Sequence, residues 1–221
     1  MDRETLDVAV RPLAACGRPR VGVVIRRRLT EARHVLQPAV RLRDQAETLA
    51  GYLDRGDSVL DVGCGTGHLS AYLHEMYGVE PSGVDVKDFR AAQIPFRLFD
   101  GTLIPFADKA FDHVVLSEVL HHSHDPVALI RECHRVARRR IIVFEDMPAG
   151  RLGNFVLYIH VQAFARYYRY PFRPTNLDAY RRALRWLGGH ARCIAEIPQS
   201  PEWFTAYPRV LFVYELGAAK P

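Results

Sequence analysis

Cysteine is scarce, and the four present, Cys16, Cys64, Cys133 and Cys193, stand far apart. No C-x-x-C pair occurs, so neither a zinc site nor a disulfide framework is expected, and the usage fits a reducing cytosol. Long hydrophobic runs are missing too. The nearest, Leu152 to Ala165, is broken by Asn154, His160 and Gln162, so no membrane span is expected. The first ten residues are charged and have no apolar stretch, so no secretory signal is expected and a cytoplasmic location follows. Runs of one charge sign are few. Arg26-Arg27-Arg28 and Arg138-Arg139-Arg140 are the only basic triplets, and no aromatic residues interleave them. That pattern argues against a nucleic-acid groove, and the net charge of +5 reads as a solvated surface. Internal repeats and low-complexity segments are absent. No feature of the sequence sets an oligomeric state.

What is present is material for one well-filled core. The chain has 221 residues, 48% of them hydrophobic, enough for a single domain with appended segments. Residues 1–38 form an N-terminal segment with no legible pattern, and residues 39–221 form the main domain. Leu42, Ala46, Leu49, Ala50 and Leu53 recur at helical spacing. Ser58 to Val62 reads as a buried strand, and His68 to Tyr77 as a helix. Short strands follow at SGVDV, Phe96 to Phe99, Asp112 to Ser117 and RIIVFE. Before the last of these, Asp125 and Pro126 open a helix with Leu129, Ile130, Cys133, Val136 and Ala137 along one side. Alternating strand and helix predicts an α/β domain with a mostly parallel sheet.

The last third changes character. Leu152 to Tyr168 reads as a helix apolar on two faces: Phe155, Val156, Ile159 and Ala163 on one, Leu157, Tyr158, Val161 and Phe164 on the other. Both faces are expected to be covered, either by ordinary packing or by a substrate held under a lid of residues 151–172. A further helix is expected from Thr175-x-x-Asp178 to Gly188-Gly189, and the strands HARCIAEI and RVLFVYEL close the chain.

The stretch with most chemistry is VLDVGCGTG. Gly63, Gly65 and Gly67 lie between a strand and a helix, where a parallel sheet opens its ligand crevice. Glycine lets a ligand approach the backbone there. The dinucleotide template G-x-G-x-x-G fails, because its last position is His68. Asp61, two residues ahead of the first glycine, is awkward beside a phosphate and well placed for a cation.

The run closely resembles motif I of the class I S-adenosylmethionine-dependent methyltransferases. The segment FDGTLIPFADKAFDHVVLSEVLHHSHDP and the later RECHRVARR resemble their type-11, small-molecule branch. The resemblance covers roughly residues 39 to 146. It implies a Rossmann-like fold with a seven-stranded, mostly parallel sheet, helices on both faces and an antiparallel last strand paired with residues 191–197. It implies S-adenosyl-L-methionine as cofactor, held by Asp61, Gly63, Cys64, Gly65, Thr66 and Gly67, with the ribose at Asp85 and Val86. The adenine then lies near Asp100 and Gly101, and Ser117 and Glu118 complete the cofactor side.

Catalytic candidates follow from position. His121 and His122 come after the fourth strand, where the transferable methyl is expected, and Glu145 and Asp146 end the fifth. A histidine there suits a general base for O-methylation, and an acid behind it would orient the ring. His121 is preferred over His122, without a decisive signal between them. A metal is not expected: adjacent histidines on an extended segment point to opposite sides. The aromatic residues after the fifth strand, with Arg166, Arg169 and Arg173 among them, suit a small apolar or aromatic acceptor. No Asn-Pro-Pro-Tyr segment and no Pro-Cys nucleophile points to nucleic-acid methylation. The alternatives are an RNA or other macromolecule methyltransferase, or a non-catalytic protein of the same fold.

Overall fold

A computed structural model describes residues 38–148, 150–168, 179–199 and 209–217. Residues 1–37, the aromatic positions 170, 172, 203, 204 and 207, and the expected helix start at Thr175 lie outside them, as do the side chains of residues 164–168.

The chain runs α1 (Pro38–Ala50), β1 (Ser58–Val62), α2 (His68–Tyr77), β2 (Glu80–Asp85), β3 (Phe96–Leu98) and β4 (Phe111–Ser117). A 3-10 turn (Leu120–His122), α3 (Pro126–Val136), β5 (Ala137–Asp146), α4 (Gly150–Tyr168), α5 (Ala179–His190), β6 (Arg192–Gln199) and β7 (Arg209–Glu215) follow. The sheet order is β3-β2-β1-β4-β5-β7-β6. β1 to β5 pair in parallel, and β7 runs antiparallel to both β5 and β6. This is the Rossmann-like α/β fold that the resemblance implied.

The pleat explains the two cores. Leu60 and Val62 of β1 face one side with Val114, Leu116, Ile141 and Val143, under α3 and α5. Val59, Val115 and Ile142 face the other, under Ala46 and Leu49 of α1 and Leu73 of α2. Strands buried on both faces read as near-continuous apolar runs, which is why the sequence marks them clearly. β5 begins sooner than RIIVFE suggested: it starts at Ala137, directly after α3, because Ala137 pairs with Phe111.

Asp125 caps α3, its Oδ1 accepting from the amides of Val127 (3.1 Å) and Ala128 (3.0 Å). Asp125→Ala should cost about 1 kcal/mol of stability, read as a lower denaturant midpoint at unchanged slope.

α4 departs from expectation. Leu157 and Val161 are buried in the first core, but Phe155 and Ile159 are 60% and 50% exposed. Val156 packs against the same core, whereas Tyr158 is exposed with Phe155 and Ile159, so the burial does not divide along the two faces read from the sequence.

The strand order reverses between β2 and β4, on either side of β1. A crevice therefore opens beyond the carboxyl ends of these strands. β7 is antiparallel, so its first residue, Arg209, arrives at that same edge opposite Asp146.

Candidate functional site

The turn after β1 is built tightly against its surroundings. Gly63 and Gly65 have φ of 72° and 51°, in the left-handed region that glycine enters without strain. A side chain at Gly63 would also meet Val119 at 2.6 Å, so glycine is required there twice over. At Gly65 the space a Cβ would enter is open. That opening leaves the backbone of the turn accessible on this side.

Asp85 closes one side of the turn. Its Oδ2 accepts from the Gly65 amide at 2.9 Å and its Oδ1 from the Val86 amide at 2.7 Å. Burial pushes its pKa up, against the pull of those amides. Gly101 brings the loop after β3 close to Val86, with 3.3 Å between the space of its Cβ and the valine methyl. Asp100 is exposed. Its Oδ1 accepts from the amides of Thr102 and Leu103, both at 2.8 Å, which hold its carboxyl below the usual value. Thr66 is exposed in the turn and Cys64 is buried beneath it, against Gly83.

Asp61 sits deeper than a surface counter-ion. It points from β1 towards α2, and Ser70 donates to its Oδ2 at 2.6 Å. Burial raises its pKa to about 6, opposed by Ser70 and aided by the charge of Asp85. The chain thus keeps a poorly solvated acid behind the turn, a feature that suits a cationic ligand.

Val119 leads directly from the glycine turn to the histidines. These do not lie on an extended segment. The Glu145 carboxylate accepts the Leu120 amide on Oε2 at 2.9 Å and His121 Nδ1 on Oε1, which curls Leu120–His122 into a 3-10 turn. Adjacent histidines that would diverge on an extended strand are here brought to the same side by the turn. The rings of His121 and His122 lie with centroids 4.1 Å apart, and His160 of α4 approaches at 5.9 and 5.8 Å.

His121 is buried, and its Nε2 has no hydrogen-bond partner among the described residues. Burial alone would lower its pKa, but Glu145, followed by Asp146 and Glu118, raises it on balance. The Glu145 carboxyl is raised by burial, with His121 pulling the other way. His122 is held neutral, its pKa lowered to about 2 by burial and by its two histidine neighbours.

Asp146 does not hydrogen-bond the histidines. Its Oδ1 accepts from Arg209 Nε at 3.0 Å, and another arm of that guanidinium reaches Glu118 at 3.0 Å. Glu118 carries a positive φ of 60° just past β4. Ser117, beside it, accepts from Gln45 of α1. Sequence reasoning missed Arg209, His160 and Gln45. The antiparallel last strand was the one available signal for Arg209.

A family described as a methyltransferase domain matches residues 60–143. The 27-O-demethylrifamycin SV methyltransferase of Amycolatopsis mediterranei is 28% identical over 78% of this chain and 69% of its own. The bifunctional methionine biosynthesis protein MetXA/MetW of Rhodopirellula baltica is 30% identical over 60% of this chain, which spans only 24% of that protein. Among solved structures, the geranyl diphosphate C-methyltransferase of Streptomyces coelicolor A3(2), bound to Mg2+, geranyl diphosphate and S-adenosyl-L-homocysteine, superposes with a TM-score of 0.61. It is 14% identical, over 84% of this chain and 83% of its own. Another is the [4+2]-cyclase SpnF, with a TM-score of 0.58 and 15% identity over 78% and 80%. With the methyltransferase-domain match over residues 60–143, its strand order and these relatives, the chain is similar to the class I methyltransferases that use S-adenosylmethionine as cofactor.

Proposed function

We propose that the protein O-methylates a small, largely apolar metabolite, with His121 as general base and Glu145 as the residue that orients it. One observation carries this reading. His121 is fixed through Nδ1 by Glu145, and its other nitrogen has no hydrogen-bond partner among the described residues, at the carboxyl edge of the sheet next to the glycine turn. A base needs that combination: a locked ring, a stabilised charged form and one free nitrogen.

S-adenosylmethionine supplies a sulfonium methyl for in-line displacement by a nucleophile. The open space at Gly65 would receive the cofactor against the backbone, with Gly63, Cys64, Thr66 and Gly67 shaping the turn. Asp85 would accept from the ribose hydroxyls, its buried carboxylate already oriented by two amides. The adenine would lie near Asp100 and Gly101, beside Val86, and Asp61 would offset the positive amino-acid end. Ser117 and Glu118 would border the methionine side. His121 Nε2 would take the acceptor's hydroxyl proton as its oxygen attacks. Glu145, hydrogen-bonded to Nδ1, would stabilise the imidazolium. Asp146, pinned by Arg209, adds negative potential without taking part in proton transfer. His122, held neutral, fits a neighbour of the base better than the base itself. α4 approaches the histidines through His160 and fits a lid that keeps water out.

The similar proteins lend support in different directions. The rifamycin relative is named for a methylated oxygen, and the terpene neighbour for a methylated carbon. A turnover assay with hydroxylated aromatic and polyketide acceptors, amines, carbon acids and bulk RNA separates them. Methylation of the hydroxylated set fits the proposal; transfer confined to amines, carbon acids or RNA overturns it. On the cofactor side, Asp85→Ala should weaken S-adenosyl-L-homocysteine binding by about 1.5–3 kcal/mol, roughly 10- to 150-fold, by calorimetric titration. Unchanged affinity would remove Asp85 from the site.

A further inference from the structure

The structure assigns to His121, His122 and His160 a binding site for one zinc-class divalent ion. One ring nitrogen from each residue lies within 4.8 Å of the other two. In a tetrahedral zinc site with bonds of about 2.0–2.1 Å, ligand nitrogens are about 3.4 Å apart. The three rings therefore close by roughly an ångström or so, within the reach of side-chain rotation on α4.

Three features set this cluster apart from a chance grouping. The first is the buried Nε2 of His121, which has no partner among the described residues, on a ring whose centroid lies 4.1 and 5.9 Å from those of the other two. The second is Glu145 on Nδ1 of the same ring. A carboxylate on the far nitrogen is the usual way that a metal-binding histidine is oriented and made more basic. The third is charge. Glu118, Glu145 and Asp146 surround the cluster, and Arg209 is the guanidinium paired to two of them. The balance favours a cation.

The donor set also selects. Three imidazoles suit zinc, cobalt, nickel or copper, whereas magnesium and calcium require oxygen ligands. Three protein ligands leave a fourth position open, as in reactive rather than purely structural zinc sites. The ion would take the same Nε2 that the proposed base uses. On that reading, which this one consequence rests on, bound ion and bound proton exclude each other, and zinc holds the enzyme in a state without its histidine base.

The test uses the full chain, free of any histidine tag and stripped with a chelator. Zinc uptake is measured by competition with a chromophoric chelator, and cobalt uptake by its visible absorption. The expected result is one equivalent bound, with the absorption of tetrahedral nitrogen coordination and no competition from a large excess of magnesium. His160→Ala lies on α4 and leaves the buried Glu145 contacts in place. It should weaken zinc binding at least tenfold, with an unchanged circular dichroism spectrum. His190→Ala, on α5, should not weaken it. No uptake by the wild-type chain, or equal uptake by His160→Ala, overturns the site. S-adenosyl-L-homocysteine titration of the stripped protein tests the methyltransferase reading separately, so either idea can fail while the other stands.

Discussion

His121→Asn should lower turnover on the true acceptor by about 10²–10⁴-fold, the usual worth of a positioned base. Its affinity for S-adenosyl-L-homocysteine should stay within about twofold of wild type. Asparagine is the better replacement because its amide can still donate to Glu145. Alanine leaves a fully buried carboxylate unpaired, and breaking a buried pair of this kind costs about 3–5 kcal/mol. His121→Ala is therefore expected to be damaged in stability as well as in turnover, and only the asparagine variant isolates the chemical role. His122→Ala should have the smaller effect. If both the His121 and His122 variants retain full turnover, no histidine base operates, and alignment of donor and acceptor carries the reaction. If cofactor affinity collapses instead, the histidine belongs to the cofactor side.

Asp61→Asn should make the cofactor-free protein more stable. The folded-state pKa is about 6, against an ordinary value of 3.8, so the native chain binds this proton more tightly than the unfolded chain. Such a group contributes its full stability below about pH 4, and that contribution is lost as pH rises to about 6. Above pH 6 the ionised acid costs about 3 kcal/mol, from a shift of about two units at 1.36 kcal/mol each. Asparagine accepts the Ser70 hydrogen bond and carries no charge, so it removes the cost at neutral pH and flattens this part of the pH profile. The same change should weaken cofactor binding by about 1.5–3 kcal/mol through the lost charge. Denaturation of the two proteins at pH 4, 5, 6 and 7 checks the first part, and titration at pH 7.5 the second. A chain that keeps an acid at the expense of its own stability has a use for that acid, the usual trade between stability and function. Equal stability at every pH would show that Asp61 is not held in the poorly solvated state described.

Much of this was legible in the sequence because the relevant signals are local. The glycines, the strand before them and the acid ending β2 are set by backbone conformation over a few residues. The two closing strands showed as apolar runs at the end of the chain, and their antiparallel pairing was implied by the family resemblance. The histidine turn was not legible. Whether His121 and His122 diverge depends on Glu145, some two dozen positions away, which takes the Leu120 amide and winds the backbone. His160 joins them from α4, and no sequence spacing announces a contact between a turn and a helix that packs over it. Arg209 was visible only as the first residue of a strand. Antiparallel pairing places it at the working edge, where it locks Asp146 and Glu118 together. The apolar pattern of α4 was read correctly as helical, but it did not say which of its residues pack on the protein's own core, since composition does not say how many neighbours a helix has.

The most direct test of the account is a crystal structure of the protein with S-adenosyl-L-homocysteine. The account predicts density along Gly63 to Gly67, the ribose hydroxyls on Asp85, the adenine near Asp100 and Gly101, and the sulfur on the side facing His121. Density at another edge of the sheet, or a sulfur turned away from the histidines, would contradict it.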